Sequence, residues 1–289
     1  LEELQAAANP DEQAAIEQFD IVLFKHIGLT ISNATRAFVL ALCGARIAPS
    51  PDEGPLRRYY QHIGRLSAAF AFVADITLLI LGGELKRKEQ LSARFGDVLS
   101  HLYMASSVLK RFEGDGAPDS DLPLAEWALQ DSLYTAQSRL MAILENFPKP
   151  IIGKVLRRIV FPLGPLFSAP SDNLDHKVAQ LLQAPSDTRD RLTAGIFVSS
   201  EPSDSIRSLE TLLEQQDDID LLERKVAKYR TADFSPSQPR KSIEAALDAN
   251  VINEIEAARL NDYWQLLSDV IAVDEVQPQQ LVAAASATS

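Results

Sequence analysis

The stretch from Arg58 to Arg111 constrains the fold more than any other part of this chain. Its apolar run, Leu66 to Leu81, carries a single charge, Asp75. A membrane-spanning helix needs about 20 apolar residues, and a central carboxylate is costly in lipid. The run therefore reads as a core helix surrounded by other helices. Gly82-Gly83 stops it, because glycine accepts the backbone geometry that ends a helix. Beyond the stop, Leu91, Phe95, Val98, Leu102, Ala105 and Leu109 advance by threes and fours, which places them on one face of a second helix.

The same helical period runs through the rest of the chain. Asp11 to Ile27 and Ser32 to Ala45 read as a helical pair broken near Gly28, and Pro49 to Gly54 as a turn. Pro55 to Leu81 and Lys86 to Phe112 are the two helices above. Glu113 to Asp121 is a turn-rich loop. Leu124 to Phe147 is a fourth long helix, with Asp121 ahead of it and Pro123 near its start. Trp127, Tyr134 and Met141 recur every seven residues, a predicted packing seam. Four long segments with short connections predict an antiparallel bundle.

After Phe147, six prolines from Pro148 to Pro185 cut the chain into short helices, of which Asp172 to Gln183 and Asp187 to Ala194 stand out. Ile196-Phe197-Val198 is coil or a brief strand. Ser199 to Ser205 and Thr231 to Pro239 read as linkers around a helical region, Ile206 to Tyr229. Ser242 to Ala249 and Glu254 to Ala272 form a helical hairpin, with Asn253 and Glu256 spaced as a capping box. The expected organisation is all-α: an antiparallel helical bundle with a short-helix annex over residues 1–198, an acidic helical region and C-terminal hairpin over 199–276, and a disordered tail over 277–289.

The chain has 289 residues, 46% of them hydrophobic, enough for a sizeable core. Its formal net charge of -12 repels phosphate and excludes a nucleic-acid-binding role for the surface as a whole. The single cysteine, Cys43, can form neither an internal disulfide nor a multi-cysteine metal site, and it suits a reducing compartment as a small buried apolar residue. The first residues have no basic and apolar leader pattern and no initiating Met, so the sequence reads as a piece of something longer.

No catalytic constellation stands out. HExxH, GxSxG, GxGxxG and phosphate-loop patterns are all missing from the sequence. His176 lies near Asp172 and Asp175, where a capped helix start outweighs a metal site. Lys86-Arg87-Lys88 opens a helix against its dipole, and solvation accounts for it unless an anionic partner does.

Asp75, Asp97 and Asp131 sit in apolar helical stretches, with Arg65, Arg94 and Arg139 at plausible offsets. They read as a buried ion-pair layer fixing helix register, in preference to a general base of raised pKa, because no nucleophile or cofactor motif converges on them. In the segment Lys149 to Phe167, Ile151, Ile152, Val155, Leu156, Ile159 and Val160 recur at helical spacing, while Lys154, Arg157 and Arg158 fall opposite and Lys149 precedes them. That basic amphipathic helix suits an anionic membrane surface or packing on protein. Burying its six aliphatic side chains contributes about 10 kcal/mol in either place, so energetics alone does not decide.

Several runs resemble the C-terminal extension of bacterial FadE-type acyl-coenzyme A dehydrogenases. They include FDIVLFKHIG (Phe19 to Gly28), RYYQHIGRLSA (Arg58 to Ala68), the run from Leu81 to Arg111, DLPLAEWALQD (Asp121 to Asp131), VFPLG (Val160 to Gly164) and the run from Pro170 to Leu192. Ser199 to Arg240 adds little. The resemblance implies a bacterial cytoplasmic enzyme of fatty acid β-oxidation that converts acyl-CoA to trans-2-enoyl-CoA, with FAD and a glutamate base in a dehydrogenase core of the same polypeptide. That base belongs to an EGxN-type motif ahead of a segment ending in LEE, which Leu1-Glu2-Glu3 matches here. No EGxN motif occurs in this chain, so no catalytic or flavin-binding residue is carried over, and the chain alone is expected to be inactive. More distantly, the bundle is similar to the extra helical domain of very-long-chain acyl-coenzyme A dehydrogenases, where the extension is linked to membrane association. A homodimer and a peripheral membrane contact at the inner membrane stay open. So does an alternative, an autonomous non-enzymatic helical interaction or membrane-docking module.

Overall fold

The structure is a computed structural model that describes residues 12–51, 53–201, 204–229 and 240–272. Among the described residues there are ten α-helices and no strand. The chain divides into two compact units, Leu1–Val178 and Ala179–Ser289. The division falls inside a helix, ahead of the boundary expected at 198. The predicted tail 277–289 and the linker 231–239 lie outside the described residues.

In the first unit, α1 spans Glu12–Leu42, α2 Arg57–Leu81, α3 Glu89–Gly114, α4 Leu122–Glu145 and α5 Pro150–Val160. Links between helices give their directions. Tyr60, early in α2, bonds Glu113 at the end of α3, and Phe70 meets Phe95 edge-on at 6.0 Å. Asp97, early in α3, pairs with Arg139 late in α4 at 3.1 Å. Arg58, at the start of α2, donates to the Gly44 carbonyl after α1 at 2.6 Å, while His26, in the middle of α1, meets Asp75 near the end of α2 at 2.7 Å. Successive helices are therefore antiparallel.

The core follows from these directions. Leu66, Val73, Val98, Leu133, Leu140 and Ile143 are buried from three helices, and Leu156 and Val160 of α5 close the same cluster. The apolar run of α2 is long and apolar enough to cross a membrane by length and composition. Here its inward face, including Leu66, Ala69, Phe72 and Val73, packs against α1, α3 and α4. Gly82 at φ +50 ends it, and a 3-10 segment, Gly82–Arg87, leads to α3. Lys86 and Arg87 thus precede α3 instead of opening it, and its first turn carries Glu89, which suits the dipole.

Two sequence expectations are corrected. Gly28 does not break α1, which runs unbroken over 31 residues. An interior glycine costs only about 1 kcal/mol against alanine, and the packed inward face of α1 offsets that. The predicted seam at Trp127, Tyr134 and Met141 is not the buried stripe of α4. That stripe is Ala125, Leu129, Leu133, Ala136, Leu140 and Ile143, and Tyr134 is exposed.

Helix α6 spans Asp172–Gln183, α7 Asp187–Thr193, α8 Ser205–Val226, α9 Arg240–Asp248 and α10 Glu254–Ile271. Residues 196–198 are coil. In the second unit, Ile219, Leu222 and Val226 of α8 bury against Ile243 and Ala246 of α9 and Ala257 and Leu260 of α10. The Asn253–Glu256 capping box forms with both of its hydrogen bonds, so the start of α10 is set locally.

Candidate docking surface

The ionisable residues singled out by sequence do not assemble into one buried layer. Arg65 is the only one of the six that is buried, at 3% exposure, and no carboxylate faces it. Its guanidinium lies 6.0 Å from the ring centroids of both Phe161 and Phe167. Asp75 turns to α1, accepting from Thr30 and meeting His26 Nε2. Asp97 and Arg139 pair across the bundle surface with side chains 45% and 51% exposed, a pair of at most about 1 kcal/mol. Asp131 and Arg94 are half-buried, and neither makes an ion pair among the described residues. The layer fails because helical offsets fix only a residue's angle on its own helix, while pairing needs the partner helix's register.

No group of three or more His, Cys, Asp or Glu able to hold a metal occurs among the described residues. His176 is exposed, and Asp175 accepts from Trp127 Nε1 at 2.5 Å.

The basic amphipathic helix exists as α5, but its apolar face is divided. Leu156 and Val160 are buried with Gly153, and Ile152 and Ile159 pack partly on the core. Gly153 permits the close approach: a β-carbon there would meet the Leu144 carbonyl oxygen at 2.3 Å. Ile151, at 78% exposure, and Val155 stay outside, one turn apart and beside Lys154 and Arg158. Arg157 reaches Glu145 at 3.4 Å. Lys149, Lys154 and Arg158 make no ion pair among the described residues.

The larger apolar surface lies on α1, which the sequence reads as a helical pair broken near Gly28 and gives no docking role. Ala37, Leu40 and Ala41 bury its inward side. On the other side, Phe24, Ile27, Ile31, Phe38 and Leu42 follow steps of three, four, seven and four, so they form one stripe. All are exposed, Phe24 at 70% and Ile31 at 61%. Ile21 and Val39 widen the stripe, and a shallow cavity of about 320 Å³ between Thr35, Val39, Ile47 and Gly64 adjoins it. The available signal was that α1 is apolar on two sides, where an end helix of a bundle needs one. A contiguous exposed apolar face of this kind marks an interaction surface.

Residues 1–276 match the family model described as acyl-CoA dehydrogenase, C-terminal, bacterial type. No solved structure matches the chain.

Proposed function

Because the chain belongs to the family of bacterial-type acyl-CoA dehydrogenase C-terminal domains, we propose that it is the accessory helical domain of a flavin-dependent enzyme of fatty acid β-oxidation. The full polypeptide would convert acyl-CoA to trans-2-enoyl-CoA in the bacterial cytoplasm, with FAD held by the dehydrogenase core. Gly153 serves the close packing of α5 on α4. No step of the dehydrogenation is assigned to this chain's own side chains.

The observation that carries the reading is the unpartnered stripe on α1. A C-terminal domain needs a surface toward the core that precedes it, and Phe24, Ile27, Ile31, Phe38 and Leu42 supply one rich in aliphatic and aromatic carbon. Hydrogen exchange tests this. Amides of α1 should be more protected in the full polypeptide than in residues 1–289 alone, and Phe24→Glu with Ile31→Glu should remove the difference. Equal protection in both forms would refute docking through this face. Residues 1–289 alone should show no acyl-CoA dehydrogenation with an artificial electron acceptor, and turnover would overturn the accessory role.

A second reading rests on α5, where exposed Ile151 and Val155 flank Lys154 and Arg158. That patch suits a peripheral contact with anionic lipid. Lys154→Glu with Arg158→Glu should abolish cosedimentation of the full chain with vesicles containing phosphatidylglycerol. The reading fails if the unaltered chain does not sediment with those vesicles.

A further inference from the structure

A cavity of about 490 Å³ opens in the first unit where the turn after α1 meets the start of α2 and the chain at Phe167. Its polar lining is Arg46, Arg58, His62, Tyr59, Gln130 and Ser168, and no carboxylate lines it among the described residues. That is unusual in a chain of net charge -12. Arg58 is held in place, donating to the Gly44 carbonyl at 2.6 Å and to Gln61. Its third contact, to His62 Nε2 at 3.4 Å, makes that nitrogen an acceptor. Arg46 is exposed, and its guanidinium has no partner among the described residues. Tyr59 accepts from Gln130 at 3.1 Å, which leaves the phenolic proton to donate.

Behind this wall, Arg65 adds a third guanidinium, with no carboxylate paired to it among the described residues. His62 is held neutral, its pKa lowered to about 4 by burial and by Arg58 and Arg65. The apolar part of the lining is Leu133, Leu166 and Phe167, with Phe167 packed edge-on against His62 at 5.0 Å. Glu126 acts on Tyr59 from beside this wall, but among the described residues no carboxylate pairs with Arg46, Arg58 or Arg65. The like charges repel one another, and an anion in the cavity would reverse that cost.

We propose that this cavity binds a small phosphate monoester with an aromatic body, its phosphate between Arg46 and Arg58 and its ring toward Phe167. The Arg46 guanidinium, the N–H groups of Arg58 left over from its bonds to Gly44, Gln61 and His62, and the Tyr59 and Ser168 hydroxyls offer more donors than a planar carboxylate can use, and they suit a tetrahedral dianion. The site is distinct from the α1 stripe and stands or falls independently of the docking proposed there.

The test uses phenyl phosphate with the full chain, followed by calorimetric titration and by the imidazole proton resonances of His62. Saturable binding that shifts those resonances is expected. Arg46→Gln, an exposed change that leaves the core intact, should weaken it about tenfold, as loss of one charge-assisted contact does. Leu79→Ser, exposed elsewhere on α2, should leave it unchanged. Equal binding of benzoate would overturn the phosphate assignment. Absence of saturable binding, or undiminished binding by the Arg46 variant, would overturn the site.

Discussion

The side-chain amide of Gln137 closes on the backbone of Phe167 from both sides: Oε1 accepts its N–H at 3.0 Å, and Nε2 donates to its carbonyl at 2.9 Å. The same oxygen accepts the Leu166 N–H at 2.6 Å. Gln137 is buried in α4, so one side chain satisfies the polar backbone of a segment that has no helix of its own. It thereby places Phe167 against His62 and over Arg65.

Gln137→Leu should lower stability by about 2–3 kcal/mol, because it strands the backbone groups that the amide now serves. Urea denaturation of the full chain measures this. Unaltered stability would show that water can take the amide's place.

Gly153→Ala is expected to destabilise by about 1–3 kcal/mol despite the better helix propensity of alanine. The added carbon would contact a backbone oxygen of α4, which cannot swing aside as a side chain tip could. A thermal melt that rises in the variant would contradict the close packing of α5 on α4.

Acid should weaken the fold through His62. Its folded pKa is about 4, below the ordinary value of 6.5, so the unfolded chain binds the proton more readily. The stabilising contribution is complete above pH 6.5 and is lost as pH falls toward 4, amounting to about 3 kcal/mol over the window. His62→Gln should flatten the stability profile between pH 6.5 and 4.5, above the range in which the lowered carboxyls of Glu113 and Glu210 titrate. A slope identical to that of the unaltered chain would refute the assignment.

Two residues expected in one ion-pair layer, Asp97 and Arg65, should behave oppositely to a simple salt-bridge account. Asp97→Asn removes an exposed pair and should cost less than about 1 kcal/mol. Arg65→Met removes a buried charge that has ring contacts but no carboxylate, and should be neutral or stabilising by about 1 kcal/mol. A large loss at Arg65→Met, read by urea denaturation, would mean that its ring contacts outweigh its desolvation.

The candidate surfaces were partly legible. Lys154, Arg157 and Arg158 are cationic neighbours whatever surrounds them, so the basic sector of α5 could be read from spacing. Which aliphatics remain outside could not, since the width of the face that the core covers, Ile152 but not Ile151, depends on how α5 docks. The cavity also had a trace: Arg58, His62 and Arg65 share a face of α2 with no acid among them. Its apolar member Phe167 lies about a hundred residues along and is placed by Gln137.

By itself the sequence determined the helical class, the stop at Gly82, the start of α10 at Asn253 and the helix-by-helix order. These depend on dihedral preference, capping and apolar period, each acting within a few residues. Only the tertiary structure decided that α1 passes through Gly28 unbroken, that Arg65 is buried under two rings and Asp97 is not, and that one face of α1 is left bare. Those outcomes depend on which surfaces meet at what register, and the free energy that selects them comes from contacts between residues far apart in the chain.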